Sequence, residues 1–265
     1  LDFTRGCVRE LMSGYGKIDI LWYDGGRPMK TAEGWESLAM NQMVRSFQPE
    51  IIINNRSKLP EDFETPEGEV EPADLQNDRG WEACMTFNGT SWGHMKGAEV
   101  DAWRTRDIVK MLARASQDSG NLLLNIGPLP DGGVPPKAAR ALRDTGQWLD
   151  QHGEAVYGQL DPAGAFPTYC GRVSQKGSTV FFWRTTWAGR EQGLGGYRTK
   201  LEAVQSLTTG ESIPFEQQDY RIILKDLPAE CPEQYAGVPV YRLEFAEVPE
   251  FKWCPTTPAL VARWD

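Results

Sequence analysis

Histidine is nearly missing: His94 and His152 are the only two in 265 residues. That is too few to build a His-based zinc site from this chain alone. Cysteine is sparse and unpatterned. The five, at 7, 84, 170, 231 and 254, are an odd number with no metal-ligand spacing and no dense disulfide framework. No metal is therefore expected. No apolar run approaches the ~20 residues that a membrane-spanning helix needs. Positive charge is in deficit, with 28 Lys and Arg against 37 Asp and Glu, a net charge of -9. A chain of that sign repels phosphate, which argues against nucleic acid or an anionic membrane as partner. These patterns specify neither a compartment nor an oligomeric state.

What is present is a workable core. Apolar residues make up 40% of the chain, and the length suits one large domain or two ordinary ones. Ten Trp is a rich complement. Flat rings stack on the apolar faces of sugars, although core packing is the plainer reading for any single Trp. The first residue is Leu, and a helical pattern starts at once, with Phe3, Cys7, Val8 and Leu11 on one face. A leader segment would therefore lie outside this sequence.

Up to about residue 157, helix-like and strand-like segments alternate. Residues 18–23 form a short, mostly apolar strand that stops at Asp24-Gly25-Gly26. A helix with Leu38, Met43, Val44 and Phe47 follows, then Ile51-Ile52-Ile53 ending at Asn54-Asn55-Arg56. A long polar loop, about 57–80, precedes a strand at 84–87. A helix over about 101–118 turns Ile108, Met111, Leu112 and Ala115 inward. Residues 122–126 make a fourth strand, and a last helix starts after Pro135-Pro136. Continuously apolar strands separated by helices indicate a parallel sheet covered on both faces. Four such units make half of an eight-stranded barrel or a small doubly wound sheet. Polar residues follow the strands at Asp24, Arg56, Asn88 and Asn125, where barrel active sites lie. From about 162 short strands recur at 180–183, 201–204, 220–224 and 241–245, with Gly or Pro between them. That texture predicts an antiparallel sandwich. Trp183 and Trp187 are expected in its core or at an interface. The expected division is 1–158 and 162–265.

Cleaving a glycosidic bond takes two carboxyl groups, one to attack or activate water and one to protonate the leaving oxygen. A nucleophilic carboxylate belongs on a rigid strand end. Asp24 has that position, and Gly25-Gly26 leaves room for a substrate. Asp-Gly also favours a simple turn, and spacing alone divides the two readings evenly.

Trp22-Tyr23-Asp24-Gly25 at a strand end resembles the nucleophile segment of family 29 glycoside hydrolases, the α-L-fucosidases. Five further segments are similar in the same order. They are Asn54-Asn55-Arg56; Asp62-Phe63-Glu64-Thr65-Pro66-Glu67; Trp81-Glu82 with Ser91-Trp92-Gly93-His94; the stretch 120–128; and the pair 146–149 and 153–158. The resemblance implies an α/β fold, with the C-terminal strands of a (β/α)8 TIM-like barrel followed by the sandwich. It implies Asp24 as nucleophile, Glu67 as acid and then base, and Arg56 reaching the sugar or the acid/base. Glu64, Glu69 and Glu71 compete with Glu67, because the family places this group in a variable loop. Trp22 and Trp92 would wall the fucose methyl, with Asn125 assisting, while His94 packs beside Trp92 without a catalytic part. A fucosylated oligosaccharide or glycoconjugate would be the substrate, and no cofactor is implied. The resemblance also places the family's N-terminal strands outside this sequence, so the 265 residues alone are expected to be inactive unless another chain completes them. The rivals are a different barrel glycosidase and a carbohydrate-binding protein without catalysis.

Overall fold

The computed structural model describes residues 1–25, 28–72, 79–88, 91–96, 103–163 and 170–250. Gly26 and Cys254, singled out in the sequence, lie outside the described residues. The chain packs into two compact units. One is Leu1–Met85 with Gly120–Leu123, and the other is Thr86–Ser119 with Leu124 onward.

In the first unit, helix α1 (Asp2–Gly14) packs through Val8 and Met12, one helical turn apart. Helix α2 is a single capped turn (Ala32–Trp35), with the Gly34 N–H donating to Thr31 Oγ1 at 3.1 Å. Helix α3 (Ser37–Phe47) buries Met40, Asn41 and Val44. These helices meet strands β1 (Ile20–Leu21) and β2 (Ile52–Ile53), which pair in parallel, Ile20 beside Ile52 and Leu21 beside Ile53. Val8, Met12, Met40, Val44, Ile51 and Ile53 form the shared core. The apolar face expected on α1 is corrected here. Phe3, Cys7 and Leu11 are exposed, and so is Leu38 on α3. The helices meet along a narrower stripe than the apolar residues alone indicate.

The polar loop expected over 57–80 contains strand β3 (Phe63–Glu64), which two residues of pairing are enough to define. It runs parallel to β4 (Gly80–Thr86), with Phe63 opposite Gly80 and Glu64 opposite Trp81. Parallel bridges at Asn54–Phe63 and Glu67–Cys84 extend the ladder on both sides. Strand β5 (Asn121–Asn125) completes the order β3-β4-β5. The acidic spacing hid β3, since periodicity does not reveal a strand of two residues. The strand read at 84–87 starts earlier, at Gly80.

The second unit carries α4 (Thr105–Gln117), α5 (Pro136–His152) and the sandwich. One sheet has the order β6-β7-β12-β9, from Gly171–Lys176, Thr179–Arg184, Val240–Phe245 and Leu201–Ser206. The other has β10-β11-β8, from Phe215–Gln218, Arg221–Leu224 and Gln192–Gly195. Neighbouring strands pair antiparallel in both sheets. Side chains alternate across a strand. Val180 and Phe182 therefore enter the core between the sheets with Ile222 and Leu243. Phe181 and Trp183 face the other way, onto Val109, Ala113 and Trp148 of the two helices. Burial on both faces explains why β7 reads as an unbroken apolar run. Trp183 is thus core, as expected of it. Trp187 packs against the core between the sheets and lies over the buried Arg184 guanidinium at 3.9 Å.

His152 ends α5 fully buried and stacked on Trp148, with ring centroids 4.5 Å apart. Its Nδ1 donates to the Trp148 carbonyl at 2.8 Å, and Nε2 lies 2.8 Å from the Thr208 hydroxyl. Burial pushes its pKa below 6.5, against the opposing pull of that carbonyl and of Glu233. The unfolded chain then binds more protons below pH 6.5 than the folded one. The stability that neutral His152 contributes is present above that pH and is lost as pH falls toward the folded value. Thermal midpoints should drop on acidification from pH 7 to 5, and His152→Gln should flatten that slope. An equal slope in both proteins would refute the assignment.

Candidate active site

The loops that leave β1 and β2 are tied together by one side chain. Asn54, fully buried, accepts from the Tyr23 backbone N–H through Oδ1 at 3.1 Å and donates to the Tyr23 carbonyl through Nδ2 at 2.9 Å. A primary amide is the neutral group that can satisfy both backbone atoms at once. The next residue is Asp24, so this clamp fixes where its backbone starts. Gly25 then takes φ +81°, a left-handed conformation that suits glycine. The Tyr23 hydroxyl donates to Asn41 Oδ1 at 3.1 Å, and burial with the nearby Glu61 pushes its pKa up to about 12. Asn41 in turn donates to Glu61 at 2.6 Å.

Arg56 lies in a 3-10 turn directly after β2. Its Nη1 donates to Asp24 Oδ1 and its Nη2 to Glu67 Oε2, each at 2.9 Å. Nε donates to Thr65 Oγ1 at 2.9 Å, and that hydroxyl donates to Asn55 Oδ1 at 3.1 Å. Every edge of the guanidinium is therefore directed. Its face is covered too, because Cζ sits 4.5 Å from the centroid of the Trp22 ring. A cation over an indole contributes roughly 0.5–1 kcal/mol when partly exposed. Three residues named from sequence, Trp22, Asp24 and Glu67, thus meet around a fourth, the Arg56 cation.

Two carboxylates on the terminal nitrogens of one planar fork lie within about 8 Å of each other. Retaining glycosidase pairs sit about 5 to 5.5 Å apart and inverting pairs about 6.5 to 9.5 Å, and a shared fork admits both. The Asp24 side chain is 74% exposed and that of Glu67 44%, while Arg56 beneath them is 21% exposed. Asp24, Gly25 and Arg56 line an open cleft of about 500 Å³ with Tyr23, Trp35 and Met40. The two carboxylates face solvent, while the guanidinium that binds both is the less exposed group.

The competing acids differ from Glu67. Glu64 is buried on β3 and paired with Arg79 at 2.6 Å, which accounts for it as a structural ion pair. Glu69 and Glu71 are exposed on the segment that follows. Cys84 lies behind Glu67, and burial pushes its thiol up to about 11, with Arg56 opposing and Glu82 and Glu67 adding to the rise. Glu82, on the same face of β4 as Cys84, accepts from Trp22 Nε1 at 3.0 Å.

Trp92 and Asn125 occur together in the second unit. Asn125 Nδ2 donates to the Trp92 carbonyl at 2.8 Å, so its amide supports the backbone that presents the 42% exposed Trp92. The approach is close. A Cβ on Gly127 would come within 2.4 Å of the Gly93 carbonyl oxygen. His94 is exposed and lines a cleft with Phe87, Met95, Ile126 and Lys137.

Sequence reasoning named the motif residues Asn54, Thr65 and Glu82 without giving them parts. The available signal was position for two of them: Asn54 follows the apolar β2 and Glu82 sits within β4, whereas Thr65 follows the hidden β3.

Residues 1–154 match the protein-family model described as Alpha-L-fucosidase. The plasma alpha-L-fucosidase of Rattus norvegicus is 32% identical over 156 residues, covering 56% of this chain and 34% of that protein. The alpha-L-fucosidase of Branchiostoma floridae is 42% identical over 87 residues, covering 32% of this chain and 19% of that one. Among solved structures, alpha-L-fucosidase isoenzyme 1 from Paenibacillus thiaminolyticus superposes with a TM-score of 0.83 at 26% identity, over 93% of this chain and 62% of that one. The chain spans about a third of the length of the mammalian relatives it matches.

Proposed function

The chain belongs to the α-L-fucosidase family, and on that premise we propose that it carries the two catalytic carboxylates of a retaining, exo-acting α-L-fucosidase. Residues 1–158 are then the C-terminal strands of a TIM-like barrel, and 162–265 its β-sandwich. The carrying observation is the single guanidinium of Arg56 shared by Asp24 and Glu67.

The roles follow from which oxygens are engaged. Arg56 holds Asp24 Oδ1, so attack on the anomeric carbon falls to Oδ2. The bond from C1 to the leaving oxygen breaks as the ester forms, and the leaving oxygen takes a proton from Glu67. Glu67 can do this without releasing Arg56. Oε2 accepts from Nη2 while Oε1 carries the proton. In the second half, Glu67 takes a proton from water, which attacks C1 and frees Asp24. Fucose leaves with its configuration kept. Arg56 holds both carboxyl groups in place and offsets the repulsion between them when both are ionised. Trp22, Trp92 and Asn125 are the proposed substrate-binding residues, and an apolar wall would favour the methyl of a 6-deoxy sugar over a hydroxymethyl group. The substrate is a terminal α-L-fucosyl unit on an oligosaccharide or glycoconjugate.

The test is an aryl α-L-fucoside offered to a polypeptide that contains these 265 residues, with the first-formed sugar read by NMR. Release of α-L-fucose supports the reading. Release of the β anomer would replace retention with inversion. Turnover of a galactoside with none of a fucoside would favour another glycosidase. Binding without turnover, unchanged in Asp24→Ala, would favour a lectin.

A further inference from the structure

We propose that Glu82 is a positioning residue for the Arg56 guanidinium and acts on it through the Trp22 indole. The inference rests on the fucosidase reading for its effect on turnover, but not for its structural content.

Three contacts carry it. The Trp22 Nε1–H donates to Glu82 Oε1 at 3.0 Å. The Trp22 ring lies under Arg56 Cζ at 4.5 Å. Arg56 in turn divides its two terminal nitrogens between Asp24 and Glu67. Asp24, Glu67 and Thr65 fix the guanidinium by its edges, but edge contacts alone leave it free to tilt out of plane. The ring beneath it sets that plane, and an indole has one polar atom by which it can itself be fixed. Glu82 holds that atom.

The strand supports this. Trp81, Ala83 and Met85 of β4 are buried on one face, which places Glu82 and Cys84 together on the other. Cys84 feels all three charges, Arg56 lowering its pKa and Glu82 and Glu67 raising it, so they share one neighbourhood. A carboxylate accepting from an indole N–H also polarises the ring and makes its face more attractive to a cation. Glu82 thus couples to Arg56 both by geometry and by charge.

The experiment uses Glu82→Leu, Glu82→Gln, Trp22→Phe and the Trp22→Phe/Glu82→Leu double variant, in a polypeptide containing these 265 residues. Glu82→Leu and Trp22→Phe should each lower kcat about 10- to 100-fold, the range typical when a group that orients a ligating side chain is lost. KM should change less than kcat. The double variant should be no worse than the more damaged single one, because both remove the same link. Gln retains a carbonyl oxygen for the indole and should recover most of the loss. Independently of activity, Glu82→Leu should move the 15N–1H resonances of the Trp22 indole and of Arg56 Nε, while Glu82→Gln moves them less. Multiplying losses in the double variant, or a Gln variant as damaged as the Leu variant, would overturn the proposal. So would an Arg56 resonance that stays in place when Glu82 is removed. If the parent polypeptide cleaves no fucoside, the functional reading fails, and the resonances still decide the positioning.

Discussion

Asp24→Ala should lower kcat for an aryl α-L-fucoside about 10^4-fold, the scale on which loss of a nucleophile is felt. Folding should be little changed, because the side chain is 74% exposed and Asn54 clamps the backbone before it. Loss of the carboxylate leaves a small space beside C1, and azide can enter it as an external nucleophile. Azide then attacks from the face Asp24 occupied, opposite the leaving group. The aryl oxygen departs with its bonding electrons, and the product is the β-L-fucosyl azide. NMR of that product checks the step without kinetic interpretation. An Asp24→Ala variant that keeps more than a tenth of its turnover would remove this residue from the reaction. The same variant also measures Arg56, which loses one of its two carboxylate partners.

Much of this site was legible because strand ends carry it. Apolar runs announced β1, β2 and β5, and the polar residues just beyond β1 and β2, Asp24 and Arg56, are the ones that meet. Helices α1, α3, α4 and α5 followed from 3.6-residue spacing. What spacing could not give was which apolar residues are covered. Phe3 and Leu11 share a helix with Val8, yet only Val8 and Met12 reach α3. Contact depends on the crossing of two helices, which the pattern of one does not contain. Strand β3 was hidden for another reason. Its two residues, Phe63 and Glu64, sit among acids, and the buried Glu64 pairs with Arg79. Pairing over a distance of 15 residues has no local signature.

The sandwich shows the same division. Strands β7, β9, β11 and β12 were readable from their apolar runs. Strands β6, β8 and β10 were not, since segments such as Gln192–Gly195 and Phe215–Gln218 are polar or glycine-rich. They are strands because their neighbours offer them partners, with register set residue by residue against β11 for β8 and β10 and against β7 for β6. Gly171 of β6 makes the point from the other side. A Cβ there would sit 2.1 Å from the Trp183 carbonyl oxygen, so the strand's fit depends on a side chain that is missing.

Glu67→Ala should separate the acid from its neighbours Glu64, Glu69 and Glu71. Loss of a general acid and base costs about 10^2- to 10^4-fold. The loss should fall unevenly. An alkyl or sugar leaving group needs a proton as it departs and should suffer the full effect. A nitrophenolate needs none, so formation of the fucosyl-enzyme should be largely spared and its hydrolysis slowed. Azide needs no base to attack. It should therefore accelerate turnover of the nitrophenyl substrate in Glu67→Ala, entering from the face of the departed group. The product should be the α-L-fucosyl azide, the opposite anomer from that of Asp24→Ala. Glu64→Ala should show neither behaviour. It strands Arg79 and uncovers a buried position, so its loss should appear as a lower melting temperature. Rescue by azide in a Glu64, Glu69 or Glu71 variant, with none in Glu67→Ala, would reassign the acid. The two anomers together test the geometry, because one guanidinium with a carboxylate on each end gives two opposite faces of attack only if the sugar lies between those carboxylates.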